Sequence, residues 1–331
     1  MTKKRSFYQF CAIIPSLLLL GGCFSSDSGN PILSQTFVHK YGFEVPENEW
    51  QEREEEGQIV TLLKSGVKVV RSYENGFLHG PTTYTFPHSS VIEKVQVYDQ
   101  GVLLKEVVHD EAGVPMREEA NEFDNRVVIT LWDEKGAPIS IEEFEKDLLM
   151  EGKYFTPSHE LEAQIEAGFG ERLKRDRKGL LISRDLVENG IMASRTSYHP
   201  NGVVHTISHY LDSELHGAQQ KFTSTGKPLL TLEWNRGILD GTKVVYRNGV
   251  KVAEIPYSKG EKNGTERHFD DLGNLTAEIH WKKDKKHGAA KFFTDETVEQ
   301  EWFFKGQMVD LEQFETLINR ERILEETREV Q

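Results

Sequence analysis

"PLLTLEWNRGILDGTKVVYRNGVKVAEIPY", residues 228–257, carries the fold in its spacing. Leu230, Leu232 and Trp234 alternate with Thr231 and Glu233, and the alternation resumes at Ala253, Ile255 and Tyr257 around Glu254. A period of two predicts strands with one buried face. Between them stands Asn248-Gly249, a pair that tolerates the positive φ of a tight hairpin. The pattern extends outward in both directions. Ala277, Ile279 and Trp281 repeat it, with Thr276, Glu278 and His280 on the wetter side. Aromatic residues fall at Tyr198, Tyr210, Phe222, Trp234, Tyr246, Tyr257, Phe269, Trp281 and Phe292, at steps of 11 or 12. Two glycine series keep step with them: Gly202, Gly226, Gly249 and Gly273, and Gly217, Gly241, Gly264 and Gly288, each at steps of 24, 23 and 24. One unit of the array is therefore a β-hairpin spanning one such step.

The residue before each glycine of the second series is His216, Asp240, Asn263 or His287, and His79 stands at the matching place in the first half. Asn, Asp and His are the side chains most enriched at positive φ, so these positions are expected to be turn residues. Metal binding fits them poorly. Residues recurring once per hairpin lie in a row with a spacing of roughly 10 Å, too far apart to share an ion.

The segments "WNRGILDGTKVVYRNG" and "YSKGEKNGTERHFDDLG" resemble the bacterial variant of the MORN repeat (membrane occupation and recognition nexus). The resemblance is clear from Tyr198 to Phe293 and fainter in "YENGFLHGPTTY", "YDQGVLLKEVV" and "WDEKGAPISIEEF", although the step from Gly113 to Gly136 is again 23. It implies a protein- or lipid-binding scaffold, and proteins with this variant are described as antitoxin-like. Helices are expected at two places. Thr156-Pro157 offers a cap and a first-turn proline ahead of Leu161, Ile165, Phe169 and Leu173, with Gly168 and Gly170 interrupting. At the other, Asp310 and Gln313 form a capping box before the stripe Leu311, Phe314, Leu317, Ile318 and Leu324, which is expected to cover the final strand. The fold expected is mostly β: an extended antiparallel meander of MORN-like β-hairpin repeats, with an inserted helix and a C-terminal capping helix. Degenerate repeats are placed at 57–156, the helical insert at 157–178, regular repeats at 179–306 and the terminal helix at 307–331.

Residues 1–22 are expected to be a signal peptide. Lys3, Lys4 and Arg5 precede an apolar run from Phe10 to Leu20, about half the ~20 residues that cross a bilayer. Leu20-Gly21-Gly22-Cys23 resembles the lipobox of bacterial lipoproteins. The resemblance implies cleavage between Gly22 and Cys23 and acylation of Cys23, whose lipid chains (palmitate among them) anchor the protein in a bilayer. Residues 23–56 are then a lipidated N-terminus and flexible tether, with "FSSDSGNP" directly after the cysteine. By the same resemblance, Phe24 after the cysteine implies the outer membrane of the cell envelope.

Composition narrows the function further. Cys11, the only other cysteine, lies in the expected signal, so thiol chemistry and Cys-ligated zinc are excluded from the mature chain. Removing three positive charges takes the net charge from −14 to −17, unsuited to nucleic acid; Lys282, Lys283, Lys285 and Lys286 read as a solvated turn. No nucleophile-elbow, zinc-protease or phosphate-loop motif occurs, and repeats disperse like groups instead of converging unlike ones, so no enzyme, metal or cofactor is expected. The function expected is a membrane-anchored scaffold for protein–protein interaction outside the cytoplasm, its partner a protein or a second copy of the chain. Alternatives are a solute- or cell-wall-binding lipoprotein and an antitoxin-like binder.

Overall fold

The computed structural model describes residues 31–53, 55–294 and 296–329. Two compact units divide it: one runs to Val128 and takes in Phe144–Asp147, the other comprises Ile129–Glu143 and everything from Leu148. Both are mostly β, and their strands pair antiparallel with their neighbours in the chain. In the first unit Gly57–Leu63, Lys68–Glu74, Phe77–Thr85, Ile92–Asp99, Val102–His109 and Pro115–Glu122 follow one another in this way. The second continues the pattern from Leu148–Phe155 to Gln307–Val309. The meander of hairpins is thus present, and period-two spacing explains it.

Successive turns alternate between two types, one along each rim. On one rim lie two-residue turns such as Asn189-Gly190 and Arg236-Gly237, with φ of 53° and 76°, and 48° and 74°. Each glycine N–H there reaches back to the preceding hairpin: Gly237 donates to the Leu215 carbonyl and Gly260 to that of Leu239, both at 2.8 Å. On the other rim lie longer loops, with the two-residue turn Asn248-Gly249 an exception; some open on His199 or Thr223 and others on an aspartate, whose Oδ1 accepts the second and fourth N–H groups that follow. Asp176 takes those of Lys178 and Leu180 at 3.0 and 2.8 Å, and Asp270 those of Leu272 and Asn274 at 2.9 and 2.8 Å. Gly202, Gly226, Gly249 and Gly273 all lie on this second rim at positive φ.

Two expectations fail. The helical insert at 157–178 is a β-hairpin, Leu161–Glu166 paired with Phe169–Arg175. A spacing of four fits a strand as well as a helix, because four is a multiple of two; Ile165 and Leu173 are buried while Leu161 and Phe169 are exposed. Thr156-Pro157 opens a rim loop instead of capping a helix. Nor is the whole of 23–56 a tether. Ile32–His39 pairs with Gly57–Leu63, and the short helix Glu47–Glu52 buries Trp50 against Phe37 and Tyr73. The acidic run masked that one tryptophan, whose burial holds the segment down.

The C-terminal helix, Leu311–Glu329, forms as expected. Asp310 Oδ1 accepts the Gln313 N–H at 2.8 Å, and Phe314 packs on Trp302 with ring centroids 4.8 Å apart. Glu321 reaches Lys282 and Lys305 at 3.3 and 3.4 Å, so part of the lysine cluster pins the helix. Leu311 and Leu324, expected on the packed stripe, are both exposed.

Candidate interaction surface

The second glycine series marks β-bulges, not turns. In the regular array the register is Tyr210 with Leu215 and then Ile207 with Gln220, a shift of two residues. Trp234–Leu239 and Thr231–Val244 repeat that shift, as do Tyr257–Lys262 and Glu254–Arg267, and in the first unit Tyr73–Leu78 and Arg71–Thr82. Gly217, Gly241, Gly264 and Gly288 absorb the extra length at φ of 80°, 131°, 115° and 110°. The residues before them do not. His79, His216, Asp240, Asn263 and His287 are absent from the positive-φ residues; His216, Asp240 and Asn263 donate their N–H to His209, Glu233 and Pro256 at 2.9, 3.0 and 3.0 Å. The turn itself lies three or four residues earlier, so spacing alone conflated turn and bulge.

Opposite most of the bulges stands a brace. His209 Nδ1 contacts the Ala218 carbonyl and His280 Nδ1 the Ala289 carbonyl, both at 2.8 Å. Glu233 accepts the Thr242 N–H at 3.1 Å, and Ser72 donates to the Pro81 carbonyl at 2.8 Å. The histidines with a structural task at the bulge are thus His209 and His280, seven residues before His216 and His287. Each brace immediately precedes a tryptophan or tyrosine, but that place is held by no single residue type and is Pro256 in one hairpin, so the sequence does not flag it.

The bulges keep two transverse rows in step. On the buried face Gln219, Leu232, Lys243, Ile255, Glu266, Ile279, Ala290 and Glu301 lie side by side, aliphatic and charged residues mixed. The opposite face carries Glu254, Arg267, Glu278 and Lys291 in consecutive register, opposite charges alternating, with Arg267 Nε 3.0 Å from Glu278. Glu233, Glu254 and Glu278 therefore share one face and all have partners, Arg267 being that of Glu278; Gln220, Glu233 and Arg267 on it are exposed.

Earlier in the second unit the buried face holds a chain of ion pairs. Arg172 grips Glu142 through Nε and Nη2 at 2.6 and 2.5 Å, and Tyr154 donates to Glu142 at 3.0 Å. Arg172 is opposite Asp185, which is fully buried and held by Arg195 at 2.8 and 2.6 Å; Arg195 is opposite Ser208, which Gln219 reaches at 2.9 Å. Burial, then Glu142, pushes the Tyr154 phenol far up. The Asp185 hydrogen bond holds Arg195 protonated against its partial burial, and Lys174, half-buried beside both arginines, is pushed down by that burial and then by their charges. Every charged pair is satisfied internally, which makes this chain structural.

Among the described residues no group of three metal-ligating side chains occurs and no helix is long and apolar enough to cross a membrane. Gly22 and Cys23 lie outside the described residues. No family model matches the chain, and no curated protein matches it. Among solved structures it is similar to TcdB2-TccC3-TEV, at 10% identity and a TM-score of 0.20 over 75% of this chain, spanning 19% of that one. It is also similar to a porin-like protein from Bacteroides uniformis ATCC 8492, at 12% identity and a TM-score of 0.14, covering 75% of this chain and 90% of that one.

Proposed function

We propose that the protein is a lipid-anchored MORN-like scaffold of the bacterial cell envelope, docking a protein along the face that carries Gln220 and Arg267 between Tyr198 and Phe293. The observation that supports this most is the bulge in each hairpin, which holds the rows in register so that equivalent positions recur at steps of 23 or 24. Such periodicity suits an extended or oligomeric partner. The anchor rests on the charge, apolar run and cysteine of residues 3–23. Sugar stacking on the aromatic rows is less favoured, since Lys262 Nζ already lies 4.4 Å over the Trp281 ring and Lys251 4.5 Å over that of Phe269.

Two measurements test the proposal. Cys23→Ala is expected to leave an unprocessed precursor without acyl chains; a wild-type N-terminus at Cys23 lacking lipid mass defeats the anchor. Photo-cross-linkers at Gln220 and Arg267, combined with protease protection, are expected to capture an extracytoplasmic protein or a second copy. Recovery in the cytosol bound to a soluble toxin favours the antitoxin-like reading instead.

A further inference from the structure

Two residues along each strand from Arg172, Asp185, Arg195, Ser208 and Gln219 runs a second row on the same face. Lys174 is opposite Ser183, Ser183 opposite Ser197, Ser197 opposite Thr206, and Thr206 opposite Lys221. The row thus reads lysine, three hydroxyls, lysine. Four strand spacings of ~4.8 Å separate its ends, roughly 19 Å between the outer Cα atoms. The first row closes on itself through Glu142, Asp185 and Ser208, but the second does not. Among the described residues, the side chains of Lys174, Ser197, Thr206 and Lys221 have no hydrogen bond and no ion pair, and all four are half-buried and in reach of solvent. Ser183 lies deeper: its Oγ is buried without a partner, so it forms the floor of the row and not a contact surface.

The sign of the row is the reverse of that of the chain. Acidic residues outnumber basic ones by 54 to 40, yet the register from Lys174 through Lys221 to Leu230 and Val245 holds no carboxylate. Glu142 and Asp185 in the neighbouring row are gripped by Arg172 and Arg195, so they leave Lys174 uncompensated. Burial, followed by the charges of those two arginines, holds Lys174 below the ordinary lysine range, and a negative group from outside the chain would favour its ionised form. An ammonium offers donors alone, whereas each hydroxyl both donates and accepts. A ligand that matches the row therefore carries acids towards its ends and alcohols between. A peptide strand is a poorer match, because its N–H and C=O groups pair at a sheet edge and this row crosses a face. The row also holds no aromatic ring on which a neutral sugar would stack.

We infer that the row from Lys174 to Lys221 binds an acidic oligosaccharide laid across the strands, with a carboxylate on each lysine and its alcohols on Ser197 and Thr206. The span between the lysines selects an extended ligand over a single small ion. Gln220 and Arg267 lie on the opposite face, so this site is independent of the docking surface proposed above.

Calorimetric titration of the full chain in detergent with tetragalacturonate, and separately with the neutral cellotetraose and with tetraglutamate, tests it. Tetragalacturonate is expected to bind saturably, and roughly tenfold more weakly to Lys174→Met and to Lys221→Met, the loss of one charge-assisted hydrogen bond in each. Ser197→Ala combined with Thr206→Val should weaken it several-fold with both lysines in place, which attraction between charges alone would not do. Lys291→Met, on the opposite face, should bind as the wild type does. Methionine keeps the length of the lysine stem, and thermal unfolding of each variant near that of the wild type separates lost binding from lost fold. Failure of tetragalacturonate to saturate the wild type, undiminished binding to both lysine variants, or binding of cellotetraose or tetraglutamate as tight as that of tetragalacturonate overturns the proposal.

Discussion

Within the second unit, the hairpins of Leu148–Tyr198 and those of Val204–Phe293 share the antiparallel frame yet fill the same buried row differently. The earlier hairpins carry Arg172, Asp185 and Arg195 there; the later ones carry Leu232, Ile255 and Ala290 between scattered charges. The backbone pattern is thus set by turns and bulges and tolerates either chemistry, as long as each buried charge finds a partner. The two regions should therefore answer differently to loss of one residue in that row.

The largest effect is expected at Asp185. Asp185→Ala leaves Arg195 without its carboxylate partner and removes the negative charge opposite Arg172, and breaking such a pair costs ~3–5 kcal/mol, here nearer the lower figure because a third of the Arg195 side chain is exposed. Denaturant unfolding measures the loss. Replacing Asp185 and Arg195 together by Leu and Met should recover most of it, since Arg172 keeps Glu142 as its partner; a double variant no more stable than Asp185→Ala would break the comparison.

Next in size is the bulge. Gly241→Val places a branched side chain at φ 131°, with its β-carbon 2.7 Å from Glu233 Cβ, and should cost about 1–3 kcal/mol. Gly217→Val, where the nearest atom is His209 Cβ at 4.0 Å, should cost less, since it meets only the backbone strain. Equal losses in the two unfolding curves would mean that the brace plays no part.

Alternation of side chains and the hairpin period were legible because strands impose them directly on the sequence. Turn and bulge were not distinguished, since both need glycine and both recur at the same period. The hairpin at 161–175 was hidden by a spacing of four, and the rim loop before it by Thr156-Pro157, which serves a loop and a helix start equally well. Trp50 and the pairs of Asp185 were illegible for another reason: their partners Tyr73, Arg172 and Arg195 stand at sequence separations that follow no period.

A third, smaller effect tests the braces. His280→Ala removes the contact to the Ala289 carbonyl and should cost ~0.5–1.5 kcal/mol, whereas His216→Asn should be nearly neutral because His216 acts at the bulge through its backbone N–H. Thermal unfolding of the pair discriminates them. A larger loss at His216, or metal-dependent stabilisation abolished there, would restore a role for the histidines before the glycines.

The smallest effect is expected at the end of the regular array, where the C-terminal helix replaces the next hairpin. His287 is held below the usual histidine range by burial, against the pull of Glu321. Burial works against ionised Glu321 as well, but the hydrogen bonds and charges of Lys282 and Lys305 outweigh it and hold its carboxyl below the usual glutamate range. For both groups the unfolded chain binds protons more readily, so both contributions are present above the unfolded values and are lost on acidification. His287 begins to act below about pH 6.5 and Glu321 below about pH 4.3, the ordinary values for the two side chains. Hydrogen exchange of the helix amides should therefore accelerate as the pH falls through this window, after correction for intrinsic rates, while the strands from Val204 to Phe222 change less. Glu321→Gln should flatten the lower part of that dependence and His287→Phe the upper part, since phenylalanine keeps the packing on Phe304 and Phe314 without a titrating nitrogen. A helix equally protected at pH 7 and pH 4 would show that its hold on the last strands comes from Phe314 on Trp302 alone.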